Sequence, residues 1–240
     1  MMSNQPTFAL LRQFEATFRN GPYIHRNSQL GNRIADYLYE DLYALGLSSK
    51  FNSRVDARSH VLNLTNVSPG IRARRGDGSF GDLVPGAQAT VVPGFCVARG
   101  SKADVEIGAE VKILAKAMIK QIDRVVGDLR RQAGQFHEKS TSALTFGIVG
   151  VNFADRYVSY EGARRYATDG TSGNLHPVQE ATRAERELLH AEDAYTEFIQ
   201  LGFRATNEPP FEFQWNDLQR TRDNYASRLL RILKRYDSTF

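Results

Sequence analysis

The sequence predicts an α/β protein, with a central mixed sheet, flanking helices and a helical C-terminal region. Three observations lead there. Stretches near both ends of the chain carry apolar residues three and four apart, the spacing of an amphipathic helix. Residues 48–100 are broken by Pro69-Gly70, Gly76, Gly78, Gly81, Pro85-Gly86, Pro93-Gly94 and Gly100, with short β-branched pieces between, which reads as strands and loops. Residues 143–153 form an almost continuous apolar run behind a long amphipathic stretch. That run suits a strand buried on both faces and a parallel strand–helix–strand crossover.

Taken in order, Phe8, Leu11, Phe14 and Phe18 lie along one stripe of a helix over residues 7–19, which Gly21-Pro22 ends. Ser28 offers an N-cap for a second helix carrying Leu30, Ile34, Tyr37, Leu38 and Leu45, stopping near Gly46. Residues 103–107 and 110–114 read as two short strands around Gly108-Ala109, followed by a helix over 115–136. Residues 162–176 are rich in Gly, Ser and Asn without periodicity and read as a mobile loop. Pro177 suits the first turn of a further helix through Ala184, Leu188, Ala191, Tyr195 and Phe198, and Gly202 with Pro209-Pro210 ends it. A last helix starts near Asn216-Asp217 and sets Leu218, Tyr225, Leu229, Ile232 and Tyr236 on one side. The expected organisation is a core over 1–161, the loop at 162–176 and a helical region over 177–240 packed on the core.

Composition narrows the function. The 240 residues are 41% hydrophobic and 24% charged, ordinary for a globular chain, so wholesale disorder and fibrous repeats are excluded. Cys96 is the only cysteine, which rules out an intrachain disulfide and a cysteine-based zinc site and suits a reducing, cytoplasmic setting. Its apolar neighbours predict a buried thiol. No run approaches the ~20 apolar residues of a membrane span, so no membrane partner is expected. The net charge of +4 and a pI near 9.2 permit contact with nucleic acid. The histidines at 25, 60, 137, 176 and 190 show no metal-ligand spacing. Gly76-Asp77-Gly78-Ser79-Phe80-Gly81 spells Gly-x-Gly-x-x-Gly, but Leu83-Val84-Pro85-Gly86 does not continue as a helix, so a dinucleotide site is rejected. Arg72, Arg74 and Arg75 form a basic loop suited to phosphates.

The segment that carries chemistry runs from Lys102 to Leu114. Alternation along a strand puts Glu110 and Lys112 on one face and Val111 and Ile113 on the other, with Asp104 and Glu106 likewise opposite Val105 and Ile107. A two-residue turn at Gly108-Ala109 leaves Asp104 and Glu110 on opposite faces. A bulge or three-residue loop at Gly108 brings Asp104 beside Lys112, and convergence of the two acids requires it. Two carboxylates at a strand edge make an oxygen site for a hard divalent cation, Mg²⁺ first and Mn²⁺ as a substitute. Lys112 beside it would orient or deprotonate a water, which with the metal is what phosphodiester hydrolysis needs. On the helix behind, Lys116, Lys120, Arg124 and Arg131 form a basic stripe, and Gln121, Asp128, Gln132 and Gln135 a polar one beside the apolar arc.

Asp104, then Glu110-Val111-Lys112, then a long amphipathic helix and a buried strand, resemble the core of the PD-(D/E)XK, or restriction-endonuclease-like, nucleases. The resemblance covers roughly residues 100–153 and extends to the helix at 28–45 as the core's first helix. Ala103 stands where the nominal motif has proline, and the interval from Asp104 to Glu110 is short for the family. The resemblance implies a restriction-endonuclease-like fold and a Mg²⁺-dependent endonuclease of restriction or anti-phage defence type. Its substrate would be double-stranded DNA, cut as a homodimer or within a larger complex. It further implies metal binding by Asp104 and Glu110, with Glu40 as an additional ligand, water activation by Lys112, and nucleic-acid contact through Lys116, Lys120 and Gln121. The alternative is a nuclease-like scaffold without catalysis that binds nucleic acid or a protein.

Overall fold

The computed structural model describes residues 7–24, 29–66, 76–171 and 177–240. Three helices come first: α1 (Ala9–Arg19), α2 (Gln29–Leu45) and α3 (Ser49–Asp56). Strands β1 (His60–Asn66), β2 (Gly78–Asp82), β3 (Arg99–Lys102) and β4 (Ile107–Leu114) follow. A 3-10 turn over Met118–Gln121 leads into α4 (Ile122–Lys139) and then β5 (Leu144–Asn152). The chain continues through β6 (Tyr157–Glu161), β7 (Arg164–Thr168), α5 (Ala181–Leu188), β8 (Glu197–Ala205), β9 (Phe213–Trp215) and α6 (Leu218–Thr239).

Seven of these strands form one mixed sheet in the order β3-β1-β2-β4-β5-β8-β9. Its centre, β4-β5-β8, is parallel, with Glu110 beside Gly147 and Ile148 beside Ile199. β2 runs antiparallel to both β1 and β4, and β9 antiparallel to β8. The fold is α/β, and the predicted parallel crossover is β4–α4–β5.

Each face of the sheet is covered by helices because its strands present apolar side chains both ways. On one face Phe14, Ile34, Leu38, Tyr225 and Ile232 pack with Val111, Ile148, Leu201 and Phe203. On the other, Leu129, Ala133, Ala184 and Leu188 pack with Leu114, Val149, Val151 and Phe198. Burying one such side chain contributes roughly 1.5–3 kcal/mol. Asp41 ties three helices together, accepting from the amides of Ala9 (2.7 Å) and Leu10 (3.0 Å) at the start of α1 and from the Tyr225 hydroxyl (3.0 Å). Burial lifts its carboxyl to about 6, against the pull of those donors. α6 begins where expected, with Asp217 accepting from the Arg220 amide at 2.9 Å.

Several expectations are corrected. No hairpin turns at Gly108-Ala109: both belong to β4, an unbroken strand, and Gly108 is needed because a Cβ there would stand 2.6 Å from the Phe136 ring of α4. The helix expected from Pro177 through Phe198 stops at α5 and a 3-10 turn over Leu189–Ala194, and Glu197–Ala205 is a strand, so the C-terminal region is not wholly helical. Within the expected loop at 162–176, Arg164–Thr168 are β7, paired with β6 around Gly162 at φ 64°, and 172–176 lie outside the described residues. α3 lies where strands and loops were read, Cys96 is exposed, and Ser28 falls outside the described residues. No described helix is long and apolar enough to cross a membrane.

Candidate active site

β2 begins at Gly78, opposite Ala109, whereas antiparallel β4 runs on past that point to Leu114. Beyond Ala109 no strand among the described residues pairs with β4 on that side, and Asp77 bonds that edge instead. Its amide donates to the Ala109 carbonyl (3.2 Å), and its carboxylate accepts from the Val111 amide (2.8 Å). Two glycines make room. Gly31, in the first turn of α2, lies so close that a Cβ would meet Asp77 Oδ1 at 2.5 Å, and Gly76 adopts φ 61° under the Phe136 ring.

The amide that holds Asp77 lies between Glu110 and Lys112, so three charged groups share a few ångströms of strand. Glu110 is buried and ion-pairs with Lys112, while the Lys112 side chain stays about one-third exposed. Burial pulls the Lys112 ammonium down, but the charge and hydrogen bond of Glu110, then Asp77 and Asp128, outweigh it and leave its pKa raised. Lys112 is thus held as an ammonium, a donor and point charge. Tyr195 is raised as well, by burial and then by the charges of Glu110 and Asp77, and its hydroxyl donates to the Leu129 carbonyl at 2.9 Å.

α4 closes the site from above. The crossover returns antiparallel to β4 with Phe136 over Gly108. One helical turn, about 5–6 Å, matches two strand residues, about 6.6 Å. On that spacing Gln132 and Asp128 follow Phe136 along the stripe of α4 that faces β4, and the Asp128 charge reaches Lys112. Gln132 is buried, and its Nε2, like Gln135 Oε1, has no hydrogen-bond partner among the described residues. Asp128 is paired with Arg131 and, at 3.8 Å, with Arg124.

Asp104 is not among these groups. It lies in the bend ahead of β4, exposed, with its carboxylate accepting from the next amide, that of Val105, at 2.7 Å. Ala103 is tied to Asp82 at the far end of β2 and Asp104 lies beside Gly81, four strand positions, roughly 13 Å, from Glu110. With no turn at Gly108, nothing folds it back. Glu40 is not a free ligand either: its two oxygens accept from the amides of Cys96 and Val97, each at 2.9 Å, and fix that loop. Lys116 pairs with Glu161 at 3.0 Å, and Lys120 and Gln121 are exposed in the 3-10 turn past the end of β4. Arg72, Arg74 and Arg75 lie outside the described residues.

Spacing alone missed two groupings. Asp77 stood inside a rejected glycine motif; the available signal was an acid opening a strand between two glycines. The second grouping is His60, Asp82 and Glu106 at the opposite end of the sheet, whose ligand atoms lie within 4.8 Å of one another. His60 Nε2 is 3.1 Å from both carboxylates. Arg54 donates to both Glu106 oxygens (2.8 and 3.0 Å), and the Tyr236 hydroxyl donates to one of them. Burial pushes the Glu106 carboxyl up, but His60, Tyr236 and Arg54 outweigh it and hold it below the usual carboxylate value. Arg54 supplies a positive charge to this enclosure and bonds both Glu106 oxygens, so the carboxylate is already ion-paired without a metal. Comparison of the sequence with protein-family models and with curated proteins returns no match.

Proposed function

We propose that the chain is a metal-dependent endonuclease hydrolysing phosphodiester bonds of DNA, of restriction or anti-phage defence type, with Asp77 in the role first assigned to Asp104. One observation carries this reading: the Asp77 carboxylate accepts from the amide between Glu110 and Lys112, at 2.8 Å. The donor set fits Mg²⁺, since Asp77 and Glu110 offer only hard carboxylate oxygens, and Mn²⁺ would substitute. Bound by those two residues, the ion would supply charge to the phosphate and acidity to a water. Lys112 donates toward the attacked phosphate and stabilises the charge that grows on its oxygens. The Val111 amide fixes Asp77, and buried Gln132 on α4 carries an amide donor with no hydrogen-bond partner among the described residues.

The test is nicking of supercoiled plasmid in Mg²⁺, with EDTA as the control. Asp77→Ala, Glu110→Ala and Lys112→Ala each lower the rate about 10²–10⁴-fold with unchanged circular dichroism, while Asp104→Ala keeps full activity. Full activity in any of the first three overturns the assignment. A second reading, a scaffold that binds without cutting, is favoured by the ion pair itself, because the Lys112 ammonium already neutralises Glu110. In that case Mg²⁺ leaves the plasmid intact, and binding survives all three substitutions.

A further inference from the structure

β6 and β7 form a two-stranded ribbon of their own, apart from the main sheet. Its base is fixed. Tyr157, Val158, Ser159 and Thr168 are buried, the Val158 amide donates to the Thr206 carbonyl (2.8 Å), and Asn207 Nδ2 donates to the Val158 carbonyl (2.7 Å) and the Tyr157 hydroxyl (3.2 Å). The tip is not buried: Gly162, Ala163, Arg164 and Arg165 are all exposed.

The charges at the tip are unequal. Glu161 lies directly opposite Arg164 in the ladder, yet its carboxylate goes to Lys116, 3.0 Å away. Lys116 is four residues past Lys112, so this ion pair ties the ribbon to the end of β4 that bears the candidate site. Arg156, at the root of the ribbon, is neutralised by Asp169 (2.8 Å) and Glu208 (2.9 Å). Among the described residues, neither Arg164 nor Arg165 pairs with a carboxylate. Arg165 lies over the Tyr160 ring, its guanidinium carbon 5.2 Å from the centroid. As neighbours in a strand, Arg164 and Arg165 point to opposite faces of the ribbon.

We propose that the β6–β7 hairpin is a DNA-contacting ribbon that inserts its tip into the groove of a duplex, Arg164 and Arg165 each gripping one of the two phosphate walls, a role that rests on the nuclease reading for its polymer. A two-stranded ribbon fits a major groove about 12 Å wide. Guanidiniums on opposite faces suit a ligand with phosphates on both sides, which a duplex has and a single strand lacks. Tyr160 is covered by Arg165, so that ring is not bare for stacking an unpaired base.

The experiment is fluorescence anisotropy of the full chain on a labelled 25-base-pair duplex (an arbitrary length, about two helical turns) in EDTA, across a salt series. For Arg164→Ala/Arg165→Ala, the slope of log affinity against log salt falls by about 2, and binding at low salt weakens at least tenfold. Arg164→Lys/Arg165→Lys keeps the slope, and the thermal midpoint of both variants matches the unmodified chain. An unchanged slope in the alanine pair, no duplex binding by the unmodified chain, or tighter binding of a single-stranded DNA or RNA of equal length overturns the proposal. Plasmid cutting in Mg²⁺ is scored separately. Cutting with a hairpin-independent slope sinks the ribbon alone, and hairpin-dependent binding without cutting sinks the nuclease reading alone.

Discussion

Glu106 and Glu110 are four residues apart and both buried, yet their surroundings give them different uses. Glu106 has Arg54, His60 and Tyr236 around it, so its charge is spent on holding α3, β1 and α6 together. Glu106→Ala is expected to cost about 3 kcal/mol in urea unfolding at neutral pH, because the Arg54 guanidinium loses its counter-charge. The sign of the pH effect follows from the lowered carboxyl: its stabilisation is complete above the ordinary carboxylate value and is lost as pH falls through the folded one. Measured at pH 7 and again near pH 3, the stability gap between the unmodified chain and Glu106→Gln should therefore narrow in acid. Among the described residues Glu110 has Lys112 alone as its ion partner, and strand alternation made that pair legible in the sequence. Asp77 was not legible. It joins them through the pairing of β2 with β4, a contact between residues 33 apart whose register no local pattern encodes.

At the scale of elements, α1, α2 and α6 were readable because each presents one unbroken helical period over eleven or more residues, and β5 because its nine residues are a nearly continuous apolar run. β8 was misread because Ala184, Leu188, Ala191, Tyr195 and Phe198 keep helical spacing across the true end of α5. The competing signal, Ile199, Leu201, Phe203 and Ala205 alternating into the core, lay in the same stretch. β4 was split because Gly108-Ala109 looks like a turn, whereas Gly108 is there for close approach of α4. Gly108→Val should cost about 1–3 kcal/mol by overpacking against Phe136. Phe136→Ala in the same chain should return part of that loss, and a double-mutant cycle in denaturant measures the coupling. Additive costs would show that α4 does not rest on β4 through this pair.

Across the whole molecule, seven strands and both helical layers share one sheet, with the candidate site where β2 stops short of β4 and the Glu106 enclosure at the other end of the same two strands. Between β2 and β3 the chain makes an exposed excursion through Pro85, Gly86, Pro93 and Gly94, held by the Thr90–Arg99 bridge and by Glu40 on Cys96 and Val97. Exposed loop tips of this kind are where proteases cut. A single nick there divides the covalent chain so that Asp77 stays on one piece and Glu110 with Lys112 on the other. The ladders of β1 with β3 and of β2 with β4 then become contacts between two polypeptides, and co-expressed halves broken at Gly86 should co-purify as a complementing pair. Cleavage of plasmid by the mixture, and by neither half alone, would make the junction of these two strands a site assembled from separate molecules.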